Sequence, residues 1–301
     1  MKSRIKNKKK RLRTKRRRHN KVKLSGGNAK VCVLMSDNRD LTNDFSNAEY
    51  NSLVSAINYQ YALKYGYDFR YYIPKIPSSH TITDNDSIQN SKHIVNSFNS
   101  LLGQYRSPSW SKLLSLWDAL FKQYDTIIYI DSDCIFKRHE ISIDDFINNG
   151  KYTKGDKNSE IKFIADYPET HLPCAGFMIL NRSDNIKKFI KHWWNYNLPE
   201  KNKTDYYEQD ALKAMIGKSD TSIVPVMGII DEIQFWDVPG QFLRHVTSGI
   251  HNDRKPIFTA FYDNLYKKDT FTGIIDSIKK DCIINLDTIE VDKNLQANAL
   301  N

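Results

Sequence analysis

Two aspartates flank one small residue at Asp131-Ser132-Asp133, immediately after the apolar run Thr126-Ile127-Ile128-Tyr129-Ile130. A short apolar run rich in β-branched residues reads as a buried strand, so both carboxylates belong to the turn at its carboxyl end. Two negative charges placed there are costly unless a cation or a helix N-terminus offsets them. Hard oxygen donors suit Mg²⁺ or Mn²⁺, ions that keep coordination positions open for substrate phosphates. A lone D-x-D is weak evidence, because acidic residues are common in loops after strands. The usual nucleotide-loop and zincin patterns are missing: the chain contains no G-x-x-x-x-G-K-[ST], no G-x-G-x-x-G and no H-E-x-x-H. Carboxylate chemistry is what remains.

The elements that must position this turn are legible around it. Val31-Cys32-Val33-Leu34-Met35 is a short buried strand, followed by the polar loop Ser36–Asp40. From Ser46 to Tyr65, apolar residues recur at Tyr50, Leu53, Val54, Ile57, Tyr61 and Tyr65, the face of a helix closed by Gly66. Asp68–Ile73 is a second strand, ended by Pro74 and Pro77. Strand, helix and strand in succession make a βαβ unit, which implies a parallel sheet. A helix over Ser111–Gln123 feeds the strand before the two aspartates. Further strands are expected at Ile161–Ala165, Gly176–Leu180 and Ile257–Phe261, with helices over 184–196 and 206–216. The class is α/β, with the working site at the carboxyl ends of the strands.

Composition sets the outer limits. The chain has 301 residues, 40% of them hydrophobic, enough for a sizeable core. The net charge of +10 is uneven: residues 1–23 hold 8 Lys and 6 Arg with no acid, leaving the remaining 278 at −4. The expected division is a disordered basic tail over 1–27 and one α/β domain over 28–301. The tail is suited to non-specific polyanion contact. No apolar run approaches the length of a membrane span, and no apolar stretch backs the N-terminal charges as in a secretory signal. Cys32, Cys134, Cys174 and Cys282 show no C-x-x-C spacing, which argues against a zinc ribbon or disulfide framework. A cytoplasmic location is expected, which leaves the sequons at Asn85, Asn181 and Asn202 as chance matches.

The segment from Trp110-Ser111-Lys112 through Tyr129-Ile130-Asp131-Ser132-Asp133-Cys134 resembles the donor-site region of GT-A glycosyltransferases. Ala175-Gly176-Phe177-Met178-Ile179-Leu180-Asn181 is similar to their acceptor-side strand. Phe189–Trp194 and Glu208-Gln209-Asp210-Ala211-Leu212 resemble the galactosyl-, mannosyl- and xylosyltransferase family. Arg244-His245-Val246-Thr247-Ser248-Gly249, with Lys255-Pro256 beyond, resembles the C-terminal element of the glycogenin-like family. The four motifs keep the families' order and cover roughly residues 30–260. Two departures stand out: Cys174 occupies a position usually held by Asn, and Gly249 follows His245 by one residue more than usual.

The resemblance implies a GT-A fold, a mostly parallel central sheet with helices on both faces. It implies metal-dependent sugar transfer from a nucleotide-diphosphate donor, a UDP-sugar by preference, to a carbohydrate, protein or lipid hydroxyl, with retention of configuration. The implied metal ligands are Asp131, Asp133 and His245, with Mn²⁺ (or Mg²⁺) as the ion and His251 as the alternative imidazole. Donor contacts fall on Met35, Ser36, Asp37, Lys112, Asp131, Gly249 and Lys255, with Arg254 equally placed to serve for Lys255. Gln209 and Asp210 take the catalytic positions beside the donor sugar. Trp193 and Trp194 are expected in the core. Two other classes compete: a nucleic-acid-binding protein acting through the tail, with a steep salt dependence, and a metal-independent retaining glycosidase using two close carboxylates.

Overall fold

The computed structural model describes residues 30–80, 95–166, 172–197, 207–217, 227–232, 240–247 and 253–298. The chain begins with β1 (Val31–Ser36), α1 (Tyr50–Tyr65), β2 (Asp68–Lys75), a hairpin of β3 (Ser97–Asn99) and β4 (Gln104–Arg106), and α2 (Ser111–Leu120). Next come β5 (Thr126–Ile130), β6 (Cys134–Phe136), α3 (Ile143–Asn149), β7 (Tyr152–Lys154), β8 (Ile161–Ala165), β9 (Pro173–Asn181) and α4 (Asp184–Trp194). The remainder comprises α5 (Glu208–Gly217), β10 (Met227–Ile230), β11 (Leu243–His245), α6 (Lys255–Leu265), α7 (Phe271–Asp281), β12 (Ile283–Asp287) and α8 (Thr288–Ala297).

Eight strands form the central sheet in the order β12-β2-β1-β5-β9-β8-β10-β7. The first four run parallel, and β8 and β10 are parallel to each other. β9 is antiparallel to both its neighbours and β7 is antiparallel to β10. The sheet is therefore mostly parallel, with its reversal at β9, beside the strand that ends in the two aspartates.

Side-chain alternation along the strands builds one apolar layer on each face. Val31, Val33 and Met35 of β1 belong to one cluster with residues of α1, α6 and α7, while Cys32 and Leu34 belong to another with residues of α2, α4 and α8. Both faces are covered, so the central strands read as continuous apolar runs rather than as alternating ones. Trp193 and Trp194 lie fully inside the second layer. Trp194 donates its indole N–H to Asp292 Oδ1 of α8 at 2.7 Å. The helix after β1 ends as expected: Gly66 takes φ +71°, and its amide caps the Ala62 and Leu63 carbonyls.

Two expectations need correction. Residues 257–261 are not a strand but part of α6, where Phe258 and Tyr262 face the core one turn apart and Pro256 opens the first turn. A short run of apolar residues does not by itself separate the two periods. β2 also continues through Pro74 to Lys75. Its pairing with β1 ends at Tyr72, so beyond that point β12 alone flanks it among the described residues, and the missing proline N–H breaks no bond to β1. Among the described residues, no helix is long and apolar enough to cross a membrane.

Candidate metal centre

β5 delivers the two aspartates to a tight turn. The Asp131 amide donates to the Gly176 carbonyl on β9 at 2.9 Å, and the Cys134 amide donates back to the Asp131 carbonyl at 3.0 Å. The chain then leaves as β6, which pairs antiparallel with β11 so that Cys134 stands opposite His245. The Val246 amide donates to the Asp133 carbonyl at 2.8 Å. Buried Asn58 of α1 fixes the other side of β6, donating to the Cys134 carbonyl at 2.9 Å and accepting from the Phe136 amide at 3.1 Å. This small ribbon carries His245 to the D-x-D turn. The ligand atoms of Asp131, Asp133 and His245 all lie within 4.8 Å of one another.

His245 is held on several sides. Its Nε2 is 3.0 Å from Asp133 Oδ1, its Nδ1 is 3.9 Å from Cys174 Sγ, and its ring lies against Gly176. A Cβ on Gly176 would come within 2.5 Å of the ring's Cε1. The glycine of the β9 motif is thus explained by close approach rather than by backbone conformation. Burial opposes the imidazolium, but Asp133 overrides it and holds His245 well above the ordinary histidine range. Asp133 moves the other way: burial would raise its carboxyl, and His245 and then Arg254 hold it below the usual range.

Asp131 belongs to a second cluster. Lys112, almost fully buried on α2, places Nζ 2.9 Å from Asp131 Oδ1, forms an ion pair with Glu208, and donates to the Ala175 carbonyl at 3.3 Å. The Tyr129 hydroxyl donates to Asp131 Oδ1 at 2.7 Å. Burial disfavours the ammonium, yet Asp131 and Glu208 together raise Lys112 above the ordinary lysine range. Burial pushes the Glu208 carboxyl up, and Lys112 pulls it back. Lys112 therefore serves first as the shared counter-ion of two carboxylates, the buried Glu208 and the half-buried Asp131.

The remaining expected residues divide. Gln209 comes close: its Oε1 accepts from the Ala175 amide at 2.8 Å, which ties the start of α5 to β9. The Asp210 carboxylate accepts from the Tyr207 amide at 3.3 Å, reaching back over the first turn of its own helix. Met35 is buried in the core, and Ser36 bonds Ser115, hydroxyl to hydroxyl, at 3.0 Å. Asp37 is gripped by Arg39, whose Nη2 lies 2.6 Å from Oδ2. Lys255 turns away and donates Nζ to the Ser46 carbonyl at 2.8 Å, while its neighbour Arg254 reaches Asp133 Oδ2 at 3.1 Å. Gly249 and His251 lie outside the described residues, as do Asn85, Asn202 and the tail.

Sequence reasoning missed Asn58, Tyr129 and Glu208 as parts of the site. Glu208 directly precedes Gln209, and Tyr129 lies two residues before Asp131, so proximity to the motifs was the available signal. Asn58 had only its polarity within an apolar helix.

The sequence matches no protein-family model and no curated protein. Among solved structures, the chain is similar to a glycosyltransferase involved in the glycosylation of the major capsid of PBCV-1, at 14% identity and a TM-score of 0.49. That match covers 77% of this chain and 99% of the other. It is similar to the glycosyltransferase GlyE of Streptococcus pneumoniae TIGR4, at 13% identity and a TM-score of 0.44, over 84% of this chain and 64% of that one. It is also similar to the galactosyltransferase LgtC in complex with donor and acceptor sugar analogs, at 12% identity and a TM-score of 0.41, over 82% and 96%. All three TM-scores lie below 0.5, so the chemistry must be sought in the side chains of the site itself.

Proposed function

We propose that the chain is a metal-dependent glycosyltransferase of the GT-A type. It moves a sugar from a nucleotide-diphosphate donor, in the first instance a UDP-sugar, to an acceptor hydroxyl with retention of configuration. One observation carries the reading: two carboxylates and an imidazole converge within 4.8 Å at the carboxyl end of β5. Ligands around one Mn²⁺ or Mg²⁺ ion span roughly 4 Å, and the imidazole nitrogen beside two carboxylates favours Mn²⁺ over the more strictly oxygen-seeking Mg²⁺. Asp131, Asp133 and His245 would hold the ion. When bound, it supplies charge compensation for the diphosphate that departs as the sugar is transferred.

The chain's own groups supply orientation. Lys112 and the Tyr129 hydroxyl hold Asp131 in place, and Gly176 and Cys174 steady the His245 ring. Ser36 and Asp37 follow Met35 at the carboxyl end of β1, where an open α/β sheet takes its nucleotide. Gln209 stands on the Ala175 amide, one residue from the Gly176 carbonyl that fixes Asp131, which supports a role beside the donor sugar. Residues 1–27 are proposed as a separate basic arm, and 1–23 as its polyanion contact.

The test is a panel of nucleotide sugars incubated with the full chain and Mn²⁺, with the freed nucleotide measured by chromatography. One donor should be hydrolysed, and EDTA, Asp133→Ala or His245→Ala should each abolish that hydrolysis. Turnover that persists in EDTA would refute the reading in favour of a metal-independent hydrolase. The anomeric proton of the product decides stereochemistry: a β linkage from an α-linked donor overturns retention.

A further inference from the structure

Both oxygens of Asp133 already have side-chain partners. Oδ1 lies 3.0 Å from His245 Nε2, and Oδ2 lies 3.1 Å from Arg254 Nη1. Arg254 stands one residue before α6, and its side chain is only 13% exposed. The same Nη1 donates to the Tyr50 hydroxyl at 2.7 Å, and the guanidinium carbon stands 4.9 Å from the Tyr50 ring centroid. Arg39 approaches that ring too, at 4.3 Å, but it is tied to Asp37 and Glu49. Among the described residues, the only carboxylate paired with Arg254 is Asp133.

We propose that Arg254 is the exchangeable counter-cation of the metal centre. A divalent ion that takes Asp133 displaces the guanidinium from Oδ2, and the displaced group, retained by Tyr50, then receives an anionic diphosphate beside the ion. The inference rests on the reading that Asp131, Asp133 and His245 hold a divalent cation. Three physical points support it. A dication held by Asp133 turns the local charge positive and removes the attraction that keeps the guanidinium on Oδ2. His245 is itself a ligand, neutral when it binds the ion, and it stays in place on a paired strand with its ring against Gly176, whereas Arg254 has a hydroxyl and an aromatic face to fall back on. A guanidinium with little solvent access is costly when it has no anion.

The consequence is coupling between two ligands. Metal alone must break an ion pair and leaves Arg254 short of an anion. A diphosphate alone must compete with Asp133 for the same guanidinium. Together each relieves the cost the other incurs, so each tightens the binding of the other. Arg254 therefore opposes metal binding when no nucleotide is present and favours nucleotide binding once the metal is in place.

The test titrates the full chain with Mn²⁺ alone, then with UDP at saturating Mn²⁺, by calorimetry, for wild type and Arg254→Met. Arg254→Met should bind Mn²⁺ alone about three- to tenfold more tightly and UDP about tenfold or more weakly. Unchanged or weaker Mn²⁺ binding in Arg254→Met overturns the exchange. Asp133→Ala distinguishes the two levels. If it binds Mn²⁺ like wild type, the centre itself is wrong; if it loses Mn²⁺ while Arg254→Met changes nothing, only the exchange fails. Should Arg254→Met not fold, Tyr50→Phe takes its place. It removes the hydroxyl that retains the guanidinium, and it should cut the factor by which UDP tightens Mn²⁺ severalfold. An unchanged factor overturns the proposal.

Discussion

A methyl group added at Gly176 would lie 2.5 Å from His245 Cε1, 3.0 Å from Nδ1 and 3.1 Å from Nε2. Carbon atoms in contact normally stand about 3.5–4.0 Å apart, so the ring would have to retreat by about 1 Å. It has little freedom to do so, because β11 is paired with β6 and the Val246 amide is bonded to the Asp133 carbonyl. Gly176 is not among the glycines with positive φ. In an open site, Gly176→Ala would therefore stabilise the protein by about 0.4–1 kcal/mol by restricting the unfolded chain. Against the ring, overpacking costs about 1–3 kcal/mol, which leaves a net loss of about 0–2.6 kcal/mol. Metal affinity should suffer more, since a ligand moved by about 1 Å leaves the roughly 0.2 Å tolerance of a coordination sphere. We expect Mn²⁺ binding to weaken on the order of 10- to 100-fold, comparable to the loss of a supporting contact. Calorimetric titration gives the affinity, and thermal unfolding gives the stability. In a His245→Ala background the added methyl should be neutral or stabilising, because the atom it strikes is gone. Equal destabilisation in both backgrounds, or wild-type Mn²⁺ affinity in Gly176→Ala, would refute the steric account.

Lys112→Met leaves Asp131 and Glu208 without their shared cation and should cost about 3–5 kcal/mol in urea unfolding. Adding Glu208→Gln should restore part of that loss, and a wild-type midpoint for Lys112→Met would show that the cluster does not stabilise the fold. Asp144 lies on α3 with its carboxyl pushed up to about 6 by burial and then by Asp145. The unfolded chain ionises it near 4, so the folded state binds this proton more tightly and stability falls as pH rises from about 4 to 6. Asp144→Asn should therefore stabilise the fold at pH 7 by about 1–2 kcal/mol after solvent screening, seen as a higher unfolding temperature, and confer no gain at pH 4. A gain that is independent of pH would point to packing instead.

Local regularities were legible from the residues themselves. The apolar run of β5, the 3.6-residue face of α1 with its closing Gly66, and the placement of Asp131 and Asp133 at a strand end all follow from the order of neighbouring side chains. These are short-range properties, and so is the uneven charge of residues 1–23. Where period alone was ambiguous, as at 257–261, only packing decided: Phe258 and Tyr262 bury one helical face against the core. The site itself is a long-range object. His245 meets Asp133 across 112 residues because β11 pairs with β6, while Asn58 of α1 bonds the other side of β6. Arg254 rather than Lys255 reaches the turn because of how the first turn of α6 is oriented over Tyr50 and Ser46. Gly176 looks like any strand glycine until the ring it admits is in place. A side chain's type and its nearest neighbours along the chain decide which chemistry is available. Which groups then come within bonding distance is decided by backbone pairing between segments that carry no mark of one another.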